Sequence, residues 1–334
     1  MNYNFFIGID VSKKTLDFAV LKDKDLLFKW AGENDESGIK EFWKQLKSQK
    51  SFCINEAIFC MEHTGIYNQH LLSFLYARKA SVCLEAAIHI KLSSGLQRGK
   101  SDQIDAVRIA QYAYKNCAEL RLWQPKRQVI QQLKYLSALR NRVINARKQL
   151  TVALNETVSF DKIAASECKK LCKASLKALD EDIKRIEIKM DQVIASDEEL
   201  KALFLIVTSV EGIGKVTATE MIITTNEFKD ITEPSKFACY AGVAPFEHSS
   251  GTSLKGKPRV SHKANKTMKS LLHMAALVAI NYNTDLKAYY QRKVEEKKNK
   301  MSVINAVRNK LIWRIFACVK NNHPYQKNYQ LTIA

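Results

Sequence analysis

The 334-residue sequence predicts an α/β N-terminal domain over residues 1–120, a helical arm over 126–204 and a mostly helical C-terminal domain over 205–334. Three observations predict it. Short apolar runs bounded by turn residues or acids lie in the first third. A seven-residue apolar repeat dominates the middle. The last third carries helical spacing around a polar insertion.

The first domain opens with Phe5-Phe6-Ile7-Gly8-Ile9-Asp10, an apolar run ending in an acid. Leu16–Leu21 and Leu26–Trp30 follow across short links, which predicts an antiparallel meander. Residues 37–48 have helical spacing. Ala57–Met61 reads as a buried strand with Glu62 at its C-terminal end, followed by a helix around Tyr67–Ala77 and a strand at Ser81–Leu84. Asp102–Tyr114 carries Ile104, Val107, Ile109 and Ala110 at helical spacing. Three strands followed by alternating helix and strand is the element order of a ribonuclease-H-like domain, an order that other α/β folds share.

In the middle segment Val129, Leu136, Val143 and Leu150 recur every seven residues, with Leu139, Ala146 and Ala153 between them. After an interruption near Ser159–Ser166, Leu176, Leu179, Ile183, Ile186, Met190 and Val193 repeat the pattern. Two such helices predict an antiparallel coiled-coil hairpin or one half of an intermolecular bundle; a helical core layer would use the same residues. Beyond it, Gly212-Ile213-Gly214-Lys215 lies between two helical stretches. That turn resembles a helix-hairpin-helix, where backbone N–H groups at a helix N-terminus meet a DNA phosphate, and a tight structural turn needs the same glycines.

Charge narrows the function. Lys and Arg number 53 against 34 Asp and Glu, a net charge of +19. Such an excess gathers polyanions, so nucleic acid is the expected partner. No apolar run approaches the ~18 residues of a membrane span, and the N-terminus has no basic leader followed by a long apolar core. The eight cysteines lack zinc-ligand spacing, which points to buried thiols in a reducing cytoplasm.

Asp10 and Glu62 end two predicted strands, while Asp102 and Asp105, three apart, share one helical face. Helix capping accounts for the last two alone but not for acids at two buried strand ends. Carboxylates in this pattern suit hard divalent cations and phosphodiester chemistry. Further on, Ser249-Ser250-Gly251 is followed by Lys255, Lys257, Arg259, Lys263, Lys266 and Lys269 without an intervening acid. The segment reads either as an ordinary loop or as a hydroxyl nucleophile among phosphate-neutralising cations.

Taken in order, Gly8-Ile9-Asp10, Glu62-x-Thr64-Gly65-x-Tyr67, Lys100-Ser101-Asp102-x-x-Asp105-Ala106, Gly212-Ile213-Gly214, Ala241-Gly242-Val243-Ala244-Pro245 and Ser250-Gly251 span nearly the whole chain. The set resembles the insertion-sequence 110 family of transposases. The resemblance implies a RuvC-like DEDD domain, a coiled coil and a C-terminal transposase domain with a nucleophilic serine. It implies that Asp10, Glu62, Asp102 and Asp105 bind Mg²⁺, with Mn²⁺ as the alternative. It implies that Ser250 attacks donor and target DNA to form a transient phosphoserine. It further implies a structured noncoding guide (bridge) RNA. Gly212, Gly214, Lys215, Lys255, Lys257, Arg259 and Lys263 are the expected nucleic-acid contacts. Strand exchange at two duplexes requires more than one active site, hence a homo-oligomer, dimer or tetramer. The rivals are a DNA invertase of the pilin-gene-inverting type, a RuvC-like nuclease using metal-activated water, and a basic binding protein with degenerate sites.

Overall fold

Along β1 (Phe5–Val11) alternate residues serve different faces. Phe5, Ile7, Ile9 and Val11 join one buried cluster, and Phe6 joins another on the opposite side. β2 (Thr15–Lys22) and β3 (Asp25–Glu33) continue antiparallel from β1, the expected meander. After α1 (Glu36–Lys47), β4 (Ala57–Glu62) pairs parallel with β1. After α2 (Gln69–Ala77), β5 (Ser81–Glu85) pairs parallel with β4. The result is a mixed five-stranded sheet of order β3-β2-β1-β4-β5. Ile39, Phe42 and Trp43 of α1 and Leu71 and Leu75 of α2 cover the first face. The short α3 (Ala87–Ser93) precedes α4 (Asp102–Lys115), whose Ala106, Ile109, Ala110 and Ala113 cover the second.

The computed structural model describes residues 3–93, 95, 101–250, 254–260 and 264–327, with backbone alone at 247–250 and 254–259. It divides into two units, Met1–Pro125, which holds the sheet, and Lys126–Ala334.

The second unit begins with α5 (Gln128–Val158) and α6 (Lys162–Ala195), long helices packed on each other and joined by Ser159–Asp161. The break is shorter than the Ser159–Ser166 interruption in the apolar pattern. Asp161 starts α6 early, its carboxylate accepting from Ile163 N at 2.9 Å and Ala164 N at 3.0 Å. Arg140 pairs with Glu187 and Arg147 with Asp180 across the hairpin. At the base of α5, Ile130 and Leu133, outside the heptad positions, are buried, because α8 (Lys215–Thr225) packs on α5 as well as α6. Arg127, at the N-cap of α5, ion-pairs with Asp197 and Glu227 and so ties three helix ends together.

α7 (Glu198–Thr208) and α8 flank the glycine turn. α9 (Pro234–Tyr240) leads into a two-stranded antiparallel hairpin, β6 (Pro245–Ser250) and β7 (Leu254–Val260). α10 (Lys266–Tyr282), α11 (Thr284–Glu295) and α12 (Lys300–Lys320) complete a helical core. The polar insertion is thus a β-hairpin. Among the described residues no helix is long and apolar enough to cross a membrane.

Candidate active site

Gly8 sets the position of α4. A Cβ there would stand 2.2 Å from both Ala106 O and Ala110 N, so only glycine admits the helix this close to the sheet. Asp102, Ala106 and Ala110 lie at i, i+4 and i+8 and form one stripe of α4. The alanines sit over β1, and the stripe carries Asp102 toward the strand end where Asp10 stands. Ser101 caps α4, its hydroxyl accepting from Ile104 N at 3.4 Å. Asp105 shares the first turn and accepts from Arg108 Nη1 at 2.6 Å.

Glu62 arrives from the neighbouring parallel strand, and an asparagine shapes the chain beyond it. Asn68, fully buried, donates to Glu62 O at 2.9 Å and accepts from Thr64 N and Thr64 Oγ1, both at 2.8 Å. Asn34 Nδ2 reaches Ser12 O at 2.8 Å and Tyr67 O at 3.1 Å, which joins the loop after β1 to the loop after β4. The Glu62-x-Thr64-Gly65-x-Tyr67 motif is therefore a shaped turn at the strand ends, with Gly65 at φ +76°.

Asp10 and Glu62 feel the neighbouring acids. Burial, then Asp102, Asp105, Glu62 and Asp17, push the Asp10 carboxyl up to about 6. Burial and Asp105 raise Glu62. Asp17, unremarked in the sequence, belongs to the same set. It is the Cα partner of Asp10 across β1 and β2, it is 7% exposed, and burial and Asp102 raise its carboxyl. Its signal was an acid inside Leu16–Leu21, a run otherwise apolar on both faces. Glu85, the partner of Glu62 on β5, is different. It accepts from Tyr112 Oη at 3.0 Å and lies 2.8 Å from His89 Nδ1, so its charge is already satisfied.

A hard dication fits this donor set: oxygen ligands only, partly buried, with mutual repulsion that a cation would relieve. Among the described residues no three His, Cys, Asp or Glu side chains are drawn together tightly enough to hold one as they stand.

In the second unit the hairpin carrying Ser250 is fastened at both ends. Asn305 Nδ2 donates to Val243 O at 2.7 Å ahead of β6. Asn265 beyond β7 donates through Nδ2 to Tyr240 Oη at 2.7 Å and caps α10 by accepting from Met268 N at 2.9 Å. Gly242, at φ +64°, turns the chain between α9 and β6. Ser250 pairs with Leu254 at the hairpin's far end, and Ser249 pairs with Lys255. Lys257 and Arg259 follow on β7, while Gly251, Ser253 and Lys263, like Lys100 of the first unit, lie outside the described residues. One turn along α12 from Asn305, the buried Arg308 has no carboxylate partner among the described residues. Its Nη2 contacts His273 Nδ1 at 2.5 Å and its Nε is unbonded. Burial and the arginine charge hold His273 below its ordinary range, which leaves its ring free to accept. None of Asn265, Asn305, His273 or Arg308 carries a local sequence signal.

At the glycine turn, Gly212 has φ +95° and a Cβ there would meet Ala275 O at 2.6 Å, so close packing on α10 requires it. Gly214 is the N-cap of α8 with open space around it. Lys215 Nζ pairs with Asp191 at 2.7 Å.

A transposase model of the DEDD IS110 type matches residues 7–160. A second model, for transposases of the IS116/IS110/IS902 family, matches residues 205–291. The chain belongs to the IS110 family of transposases. Pilin gene-inverting proteins of Moraxella bovis and Moraxella lacunata are each 24% identical to it over 96% of this chain and 98% of their own. An IS110 insertion-element protein of 43.6 kDa from Streptomyces coelicolor is 24% identical over 55% of this chain and 43% of its own. This IS110-family chain is an enzyme that acts on DNA, of the transposase or recombinase class. The DEDD match spans the strand-end acids and implies dependence on a divalent metal and a ribonuclease-H-like fold.

Proposed function

We propose that this transposase moves a DNA element by cutting and rejoining DNA through a serine–phosphate intermediate, with Mg²⁺ or Mn²⁺ held by Asp10, Glu62, Asp102 and Asp105. The convergence of these carboxylates at the ends of β1 and β4 and the start of α4 carries the reading. A cation bound there supplies charge neutralisation at a phosphate oxygen. Ser250 Oγ attacks phosphorus; the Oγ–P bond forms, the bond to the leaving DNA oxygen breaks, and the hydroxyl proton ends on that oxygen. In the reverse step a DNA hydroxyl attacks the phosphoserine and frees Ser250, so the phosphodiester is conserved without an external energy source. Lys255, Lys257, Arg259 and Lys263 neutralise DNA or guide-RNA phosphates around the hairpin. Gly214 and Lys215 offer a phosphate contact at the N-terminus of α8. The +19 charge supports a noncoding RNA partner as well as donor and target DNA. The α5–α6 hairpin is the coiled-coil arm of a dimer or tetramer.

The test is covalent trapping. DNA should be recovered attached to the protein under denaturing conditions, with the adduct absent from Ser250→Ala and retained in Ser253→Ala. Unchanged cleavage by Ser250→Ala would replace the reading with a nuclease using metal-activated water.

A second reading, site-specific DNA inversion, is favoured by the near-full-length similarity to the two pilin gene-inverting proteins. A plasmid carrying inverted sites flanking a reporter discriminates: an invertase flips the reporter, whereas a transposase excises or inserts an element.

A further inference from the structure

Asp10 and Glu62 stand where β1 and β4 finish. Phe5 starts β1 at the other end of the sheet, about 16 Å from Asp10 at the rise of an extended strand. At that end lies a cavity of about 570 Å³, lined by Trp43, Lys47, Phe52, Cys53, Ile54 and Arg78, with no acid in the lining. A chain of rings underlies it: Phe5 meets Phe52 at 5.4 Å, Phe52 meets Trp43 at 6.2 Å and Trp43 meets Phe74 at 5.6 Å, all edge to face. Cations rest on these rings. The Arg78 guanidinium lies 3.4 Å from the centre of Phe74, which covers one of its faces. Lys47 Nζ lies 5.9 Å from Trp43, and Lys22 Nζ lies 6.0 Å from Phe5. Lys22 also donates to Ser51 Oγ at 3.3 Å and Arg78 to Phe74 O at 3.0 Å, while no carboxylate among the described residues pairs with either of them or with Lys47.

Across the Arg78–Lys79 link the combination repeats. A second cavity, of about 480 Å³, is lined by Tyr76, Lys79, Ser81, Trp123 and Gln124 among others. Tyr76 is 52% exposed and meets Trp123 edge to face at 6.2 Å. Helix C-termini favour Lys47 and Arg78 whatever lies beyond them. They do not account for Lys22 at a strand end, for the exposed Tyr76, or for two adjoining cavities that each set a cation beside aromatic rings.

We propose that this end of the first unit is a platform for single-stranded nucleic acid, with an unpaired base in each cavity and Lys22, Lys47, Arg78 and Lys79 on the phosphates. An unpaired base offers a flat π face to Phe52, to Tyr76 and to the uncovered face of the Arg78 guanidinium, and its strand carries the anions these cations lack. A duplex keeps its bases stacked inside and offers mainly phosphate, which would use the cations and leave the cavities empty. Single strands of DNA and RNA share the required chemistry. The platform goes beyond the phosphate contacts assigned to the β6–β7 hairpin. It lies at the sheet end away from the acids, so it holds a strand and does not cut it.

The test uses the full-length protein and fluorescein-labelled strands of about 12 nucleotides, within the span of one single-strand site. Oligo(U), oligo(dT) and a blunt duplex are compared by fluorescence anisotropy, and circular dichroism establishes that each variant is folded. Tyr76→Ala should weaken single-strand binding about tenfold, as loss of one stacked base does, and leave duplex affinity within about twofold, while Tyr76→Phe should retain both. Lys47→Gln combined with Arg78→Gln should reduce the single-strand slope of log affinity against log salt by about 1.4, near 0.7 for each phosphate contact. On the unmodified chain, ultraviolet crosslinks from strands carrying 4-thiouridine or 4-thiothymidine should fall on the peptides that contain Phe52 and Tyr76. Losses with both oligo(U) and oligo(dT) assign the platform to any single strand, and a loss with one alone assigns it to that nucleic acid. Unchanged single-strand affinity in the folded variants, or an equal loss for the duplex, would overturn the platform. Crosslinks confined to the β6–β7 hairpin would overturn it too, and would leave the phosphate contacts of that hairpin standing.

Discussion

At the scale of single residues, Asp10 is a carboxylate held where burial and neighbouring acids make its charge unwelcome. Its folded value of about 6 lies above the ordinary 3.8, so the folded state binds the proton more tightly than the unfolded chain. The contribution of this group to stability is therefore fully present below about pH 4 and is lost as pH rises through 6. Asp10→Asn cannot ionise. In metal-free buffer the variant should melt above the parent at pH 7 by on the order of a few degrees, and the gap should close toward pH 4. Differential scanning fluorimetry across that range checks it, and a constant gap would show that charge is not the cause. Asp10 and Glu62 were legible because each ends an apolar run. Asp17 was not, because an acid inside a strand has no meaning until pairing shows that Asp10 lies opposite.

At the scale of elements, the approach of α4 to β1 decides whether the acids meet. Gly8 provides it: the nearest atoms to an added Cβ are backbone, which cannot swing aside. Gly8→Ala should destabilise the first unit by about 2 kcal/mol or more, as overpacking of a tight contact does, and weaken Mn²⁺ binding by moving Asp102 and Asp105. Urea unfolding combined with a Mn²⁺ titration measures both; a variant that unfolds earlier yet binds Mn²⁺ normally would detach Gly8 from the site. Regular elements were the most legible part of the fold. Strands announced themselves by short β-branched and aromatic runs, and α4 by its spacing. The β6–β7 hairpin did not, because its polar, lysine-bearing strands show no apolar alternation; their ends are held by Asn265 and Asn305, distant in sequence.

At the scale of the whole molecule, the +19 charge makes nucleic-acid binding an ionic-strength-dependent property. Affinity for a nonspecific duplex should fall by about 10³ between 50 and 200 mM salt if roughly six phosphates are neutralised. Changing Lys255, Lys257 and Arg259 together to glutamine should reduce the slope of log affinity against log salt by about 3, near one for each phosphate contact. Fluorescence anisotropy over a salt series measures it, and an unchanged slope would move the phosphate contacts off the hairpin. The sequence by itself determined the family, through short motifs in a fixed order, together with the strands, the long helices and the charge that selects the partner. These are properties of composition, periodicity and order, each readable within a local window. The tertiary structure decided which acids share a field, that Asp17 joins them while Glu85 is occupied elsewhere, and that the serine segment is a hairpin tied down at its base. Those outcomes depend on strand register and on how closely a helix can approach a sheet, and both are set by residues far apart along the chain.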